Sequence, residues 1–505
     1  MSGERFSAGQ DGARTMMGDS VDMPATTGTD TADPAAVTGR DRVGMPPVRA
    51  VDHWVQYAVD RLDLDPRDAD WMRNRLLEYA QAHPGVFEGD VLEDDAVMGL
   101  LSAPPSRVQD TFAAIEDVDG SMAAMRWFYR YGVSNGYVKQ ARLARNVRFE
   151  GSGLVVTINK AKPEFADTHA AALANSVDGS YAQCTICHAN EGLASRGKRT
   201  LRTVPVTLGG EAWFWQFSPY GYFREHGICV NRTHVPMHVD RMAFVRLLDF
   251  VDRFPGYFLG CNAALPRIGG SILSHDHYQG GGGILPMQRA VALHALRVPD
   301  AVVETLDWPA SAVRVVSRSR EAVVDTCERI RAAWTAYADP ALGVEPVGPD
   351  GEPQSSLAPS ARITERGYEM NIVLRNNAVS ETYPLGVFHA HPEYFFVKRE
   401  GIGLIEAQGL FILPARLERQ LGQLEDVLAA GGPLSRELSA FALAAEEVRD
   451  AMGGNGGPGP AEADRARVRA LVRDEIASIC RRILGNIAVF PDEPALYDFL
   501  VGALR

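Results

Sequence analysis

The chain is poor in cysteine, has no apolar run of about 18 residues, and carries no excess of basic charge. Six cysteines in 505 residues cannot build a disulfide framework, and with two of them in a CxxC they point to a reducing compartment. With no membrane-spanning run and no apolar amino-terminal stretch, neither a membrane span nor secretion is expected, and the chain reads as cytoplasmic. Its 64 acidic and 51 basic residues give a net charge of −13 with no long run of either sign. That is no footprint for nucleic acid or an anionic membrane, so neither is expected as a partner. A phosphorylated substrate would have to be met by local cations.

What is present is ordinary globular composition, 46% hydrophobic and 23% charged, over a length sufficient for about three domains. Residues 1–46 are rich in Gly, Ser, Thr, Asp, Ala and Met without a sustained period, and a disordered tail is expected. From Val51 the pattern turns helical. Asp65-Pro66 reads as a cap followed by a first-turn proline, with a helix through Trp71, Leu76 and Tyr79 to Ala82, stopped by His83-Pro84-Gly85. Two or three further helices reach Trp127 to Tyr131.

The period shifts to two at Val155 to Ile158, returns to helical over Met237 to Phe254 (Phe244, Leu247, Leu248, Val251), and suggests a strand over Tyr257 to Leu265. Strands at Val313 to Val316 and Met370 to Leu374 bracket a helix at Glu321 to Tyr337. Helices follow at Leu413 to Leu428, Leu434 to Met452 and Ala463 to Leu484, interrupted by the Gly/Pro run from Gly453 to Pro460, with a short one at the end.

The stretch Gly269 to Gly283 carries the chemistry. His275, His277 and Gln279 occupy alternate positions, which on a strand share one face, while Asp276 and Tyr278 face the other way. A neutral imidazole is a competent nucleophile, a second can hold a metal or a proton, and a carboxamide can donate to a phosphate oxygen. Four glycines follow, whose unobstructed N–H groups suit close approach by a phosphate. The plainer alternative is a surface strand with incidental histidines before a flexible loop. Cys184 and Cys187 have the spacing by which two thiolates share a tetrahedral zinc, although a closed site needs two more ligands, and two ordinary reduced thiols are the alternative. No thioredoxin-like pattern surrounds them to favour redox chemistry. His389-Ala-His391-Pro-Glu393 repeats the His-x-His spacing. It reads either as a second metal site or as a pair of hydrogen-bonded strand histidines. Arg199, Arg202 and Lys398 are candidates for phosphate charge, each with a solvated surface cation as the alternative.

Five motifs in order, CTICHANEG (Cys184 to Gly192), FWQFSPYGYFREH (Phe214 to His226), SILSHDHYQGG, NIVLRNN (Asn371 to Asn377) and YPLGVFHAHPEY (Tyr383 to Tyr394), resemble the hexose-1-phosphate uridylyltransferases, in the second class found in Gram-positive bacteria. The resemblance runs from about Val51 to the carboxy terminus. It implies an α+β fold of the histidine-triad superfamily, with two histidine-triad-like antiparallel sheet repeats. Residues 47–140 would be a helical amino-terminal region, 141–300 the first repeat with the catalytic motif, 301–415 the second repeat, and 416–505 a helical region with a flexible loop at 453–463. The family's zinc ligands fall on Cys184, Cys187, His234 and His275, with His188 and His238 as rivals. The second His-x-His, His389 and His391, falls where relatives hold metal or the partner's site.

The same resemblance implies that His277 attacks the α-phosphorus of UDP-glucose, releases glucose 1-phosphate, and passes the uridylyl group to galactose 1-phosphate. Gln279 would donate to the α-phosphate, Ser271 would contact the departing phosphate, Asn262 would hold the nucleotide, and Lys398 or Arg399 the sugar phosphate. UTP as donor, an N-acetylhexosamine 1-phosphate as acceptor, dinucleoside-polyphosphate phosphorolysis, a hydrolase and a non-catalytic zinc-stabilised nucleotide-binding protein are the competing readings. A homodimer is left open.

Overall fold

The computed structural model describes residues 47–83, 85–87, 95–160, 181–453 and 461–505. The expected disordered tail at 1–46, Pro84 of the helix stop and the run 454–460 lie outside them. Thirteen strands are described: β1 (Val147–Gly151), β2 (Leu154–Asn159), β3 (Val204–Leu208), β4 (Glu211–Phe217), β5 (Gly227–Asn231), β6 (Tyr257–Gly260), β7 (His277–Gly282), β8 (Ala292–Val298), β9 (Ala301–Leu306), β10 (Ala312–Ser317), β11 (Ser355–Thr364), β12 (Gly367–Asn376) and β13 (Leu410–Pro414). Ten of them form one antiparallel sheet in the order β3-β4-β5-β7-β6-β11-β12-β10-β9-β8, and β1, β2 and β13 form a small second sheet. The class is α+β.

The large sheet is internally duplicated. Three strands, a helix and two strands (β3, β4, β5, Arg241–Arg253, β6, β7) are followed by the same succession (β8, β9, β10, Arg320–Thr335, β11, β12), and the spatial order is the same in both halves. The halves meet where β6 pairs with β11, through Gly260 opposite Ser360 and Leu259 opposite Ala361. The β3–β4 hairpin turns on Gly209 and Gly210 at φ 59° and 78°, the left-handed pair that a two-residue hairpin of this twist requires.

Both repeat helices begin at side-chain caps, Asp240 accepting from Ala243 N at 2.9 Å and Ser319 from Ala322 N at 3.2 Å. They bury Phe244, Leu247, Leu248, Val251, Val323, Cys327, Ile330 and Trp334 against one face of the sheet. The opposite face, through Ala312, Ala358 and Val373, packs on the small sheet (Val156, Phe411, Leu413) and on the carboxy-terminal helices Arg416–Ala429, Ala442–Met452 and Ala461–Asn486. The last of these starts at Ala461 and so takes in the final three residues of the loop expected at 453–463. The amino-terminal helices, among them Ala69–Ala82, Asp95–Leu101, Pro105–Asp119 and Ser121–Ser134, pack on the first half, with Phe128 and Tyr129 against Phe217 and Glu116 paired with Arg253 at 2.6 Å. Among the described residues, no helix is long and apolar enough to cross a membrane.

Candidate active site

β7 runs between β5 and β6, and its alternation divides the central motif between the two faces of the sheet. Tyr278 points to the helix side, fully buried and stacked on Trp213 with centroids 4.9 Å apart, and Asp276 lies 3.7 Å from the Arg246 guanidinium. His277 and Gln279 point the other way, into a cavity of about 730 Å³. The His277 Nδ1–H donates to the His275 carbonyl at 2.8 Å, which fixes the tautomer and leaves Nε2 as the basic atom. Burial lowers the affinity of His277 for a proton, so the ring is held in its neutral, nucleophilic form.

Of the four glycines after Gln279, Gly280 to Gly282 lie within β7 rather than in a phosphate-binding loop. Gly280 and Gly282 are ladder positions between β5 and β6, and Gly282 donates to Arg224 O at 3.0 Å. They are small because the strands crowd together: a Cβ on Gly280 would lie 2.2 Å from the Phe258 carbonyl oxygen.

His275, two residues before the strand, turns to the CxxC loop. Cys184 Sγ stands 3.5 Å from Cys187 Sγ and 3.3 Å from His275 Nδ1, and Cys187 Sγ stands 3.2 Å from His234 Nδ1 and 3.6 Å from His275 Nδ1. Ligand atoms in a tetrahedral site with metal–sulfur bonds of about 2.3 Å are roughly 3.2 to 3.8 Å apart, so the four residues fit a metal of that geometry. The His275 Nε2–H donates to Asn231 O at 2.8 Å, orienting Nδ1 inward. Burial pushes the Cys184 thiol up to about 12, so a thiolate there calls for a cation facing it. Neither rival joins them: His188 lies 3.3 Å from the Glu191 carboxylate, and His238 is exposed.

The second His-x-His is not the structural repeat of the first. Across the β6–β11 junction Gly260 faces Ser360; Gly260 pairs with Gln279 on β7, and Ser360 pairs with Asn371 on β12. Asn371 is therefore the counterpart of Gln279, and Glu369 that of His277. The remaining counterparts are filled by a buried ionic network in which Arg314 lies 3.3 Å from Glu304 and 3.8 Å from Glu369. His389 and His391 come after β12, outside any strand. His389 Nδ1 lies 3.0 Å from Ala390 O, and His391 stacks on Tyr383 with its Nε2 3.1 Å from Val387 O. They gather no third ligand, and the Cys184 cluster is the metal-competent group among the described residues.

Ser271, Asn262 and Lys398 border the same cavity as His277 and Gln279. Asn262 lies just past β6, where the expected strand gives way to a loop with Ala264 and Arg267 at φ 55° and 64°. Its Oδ1 accepts from Leu404 N at 2.9 Å. The Lys398 ammonium is buried between Glu406 at 2.6 Å and Glu400 at 3.1 Å. Arg202 and Arg199 are elsewhere. Arg202 is buried with its guanidinium donating to Ala103 O at 2.7 Å, Leu201 O at 2.8 Å and Arg199 O at 2.9 Å, and Arg199 pairs with Asp95 at 3.4 Å.

Cations that sequence reasoning missed stand in the cavity wall instead: Lys139, Arg196 and Lys198, with Lys198 Nζ donating to Thr185 O at 2.6 Å. Tyr137, Tyr220, Tyr222 and His226 also line it. The last three belong to the FWQFSPYGYFREH motif, which was the available signal; no pattern marked Lys139 or Lys198.

A cavity with a tautomer-fixed imidazole, a carboxamide and four cations in its wall, beside a Cys/His cluster, suits a group-transfer enzyme acting on a phosphorylated compound. Curated relatives narrow the class. The chain is 52% identical to the galactose-1-phosphate uridylyltransferase of Bifidobacterium longum, over 89% of this chain and 96% of that one. It is 36% identical to the enzyme of the same name from Halalkalibacterium halodurans (88% and 91% covered) and 34% to that of Lactococcus lactis subsp. cremoris (83% and 85% covered). No family model matches. Among solved structures, the yeast Ap4A phosphorylase Apa2 aligns at 12% identity over 64% of this chain and 91% of that one with a TM-score of 0.29, too distant to carry an argument. The chain belongs to the galactose-1-phosphate uridylyltransferase family of nucleotidyltransferases.

Proposed function

We propose that the chain moves the uridylyl group of UDP-glucose to galactose 1-phosphate through a covalent uridylyl-His277 intermediate. The observation that carries this is the His277 ring at the cavity, its Nδ1–H engaged by the His275 carbonyl at 2.8 Å and its Nε2 without a hydrogen-bond partner among the described residues. Direct transfer would have to bring two phosphate anions together, and a covalent intermediate divides it into two displacements at one site. In the first, the Nε2 lone pair attacks the α-phosphorus, the bond to the bridging oxygen breaks, and glucose 1-phosphate leaves with that electron pair. In the second, a phosphate oxygen of galactose 1-phosphate attacks, the P–N bond breaks, and the pair returns to Nε2. The carbonyl of His275 keeps the proton on Nδ1 throughout.

Gln279 is placed to donate to the α-phosphate oxygens, and Lys139, Arg196 and Lys198 supply the charge that a chain of net charge −13 must provide locally. Ser271 and Asn262 border the same space, as do Lys398, Glu400 and Glu406. The metal that suits Cys184, Cys187, His234 and His275 is zinc, which would supply a cross-link between the CxxC loop and the residue that carries the His277 tautomer.

Intact-protein mass after incubation with UDP-glucose tests this. One added uridylyl group in the native chain, absent in His277→Ala and removed by galactose 1-phosphate, is the expected result. Labelling only by UTP, or release only to an N-acetylhexosamine 1-phosphate, would move the donor or acceptor. No labelling by either nucleotide would remove the intermediate.

A further inference from the structure

His226 is buried at the edge of the cavity and has no part in the steps above. It is 3% exposed, lies just before β5, and stacks on Tyr222 with centroids 4.7 Å apart. Its Nδ1 accepts the Tyr222 backbone N–H at 3.4 Å. An imidazole nitrogen that accepts carries no proton, and burial holds this ring neutral by lowering it to about 3. The one ring proton is therefore on Nε2, which becomes a fixed donor that does not titrate in the working range. That Nε2 is buried and reaches no partner at hydrogen-bond distance in the structure, which marks it for a partner that closes on it.

The sheet register identifies that partner. Ile228 faces Gln279 and Gly227 faces Gly280 across β5 and β7, and His226 is the residue just before β5 on the cavity side. Because His226 and Ile228 alternate with Gly227, His226 shares the face of Gln279 and is its diagonal neighbour. Gln279 is also the side chain whose polar atoms favour the protonated His226 ring, as an acceptor facing Nε2 does.

We propose that His226 is a positioning residue, its Nε2–H holding Gln279 Oε1 so that the Gln279 NH2 is aimed at the transferring phosphate. A flipped carboxamide would set two donors against each other, so the contact selects one of two amide orientations that are otherwise nearly equal. Apo contacts of this kind are commonly long and tighten when the phosphate arrives. The inference rests on the uridylyl-transfer reading of the site.

The test compares His226→Phe, which keeps the ring and removes the donor, with His226→Gln, which keeps an N–H at similar reach. His226→Phe is expected to lower kcat about 10- to 100-fold with little change in KM, His226→Gln to recover most of that loss, and His226→Phe with Gln279→Ala to be no slower than Gln279→Ala alone. An unchanged kcat in His226→Phe, or losses that multiply in the double variant, would overturn the proposal. 15N NMR of histidine-labelled native protein, assigned with His226→Gln, reads the tautomer without relying on activity or on the Phe variant folding. An Nδ1-protonated ring would sink the inference even if transfer were intact. Failure of the native chain to label with UDP-glucose or UTP would instead fall on the proposed function.

Discussion

Among the cations of the cavity wall, Lys198 has a basicity that the fold has altered. Lys198 is half-buried in the cavity wall, and desolvation holds it down to about 8 against an ordinary lysine value of 10.5. Its charge is present below that point and lost as pH rises through it. With Lys198 on the phosphates, kcat/KM for UDP-glucose should fall as pH rises past about 8. In Lys198→Arg, whose guanidinium keeps its charge, that descent should move to higher pH; a pH–rate profile with the same alkaline limb in both proteins would take Lys198 out of this role. Residue chemistry was legible in the sequence where local periodicity exposed it, as with His277 and Gln279 two positions apart. It was not legible for Lys139 and Lys198, because only the fold brings residues from a helical region and a post-CxxC loop to one wall. Arg202 was misread because a charge in a sequence does not reveal whether its donors are already spent on carbonyls.

At the scale of elements, helices were easier to read than strands. The helix Arg241–Arg253 follows its apolar spacing, whereas β4, with Trp213 through Phe217 buried on both faces of the sheet, has no alternation to detect. Pro359 hid β11; it is tolerated because its carbonyl, and hence its missing N–H, faces the end of β6, where Cys261 N has left the ladder to donate to Pro359 O at 2.8 Å. The His-x-His repeat misled for the opposite reason: an equal spacing fell outside the element that corresponds to β7. Two elements here have direct tests. Gly280→Ala places a methyl 2.2 Å from the Phe258 carbonyl oxygen, backbone that cannot swing aside, and should cost about 3 kcal/mol by urea unfolding. A cost within a few tenths would mean that β6 and β7 are not packed as described. Metal analysis should find one zinc per chain. Because Cys184, Cys187, His234 and His275 join three separate segments, stripping it with a chelator should lower the melting temperature by about 5 °C or more and slow uridylyl labelling. An unchanged melting temperature after complete removal would leave the cluster as four unbridged side chains.

At the scale of the molecule, the duplicated sheet has one half open to a cavity and the other closed. The positions of Gln216, Ile228, His277 and Gln279 in the first half correspond to Glu304, Arg314, Glu369 and Asn371 in the second, where mutual ion pairs leave nothing for a substrate. The open half is braced by the amino-terminal helical region, which contributes Tyr137 and Lys139 to the cavity. Arg202 is the tie between them: its Nε–H donates to Ala103 O, while Ala103 N donates to the Tyr131 hydroxyl at 2.9 Å. Removing that guanidinium strands four backbone carbonyls, those of Ser102, Ala103, Arg199 and Leu201, so Arg202→Ala should cost about 2 to 3 kcal/mol. A phosphate-binding arginine would raise KM for both sugar substrates and leave the unfolding midpoint nearly in place. A brace does the reverse, shifting the urea midpoint while KM and the labelling rate per folded molecule hold. The observed partners of Arg202 are all backbone oxygens, and a phosphate would have to displace every one of them to reach it.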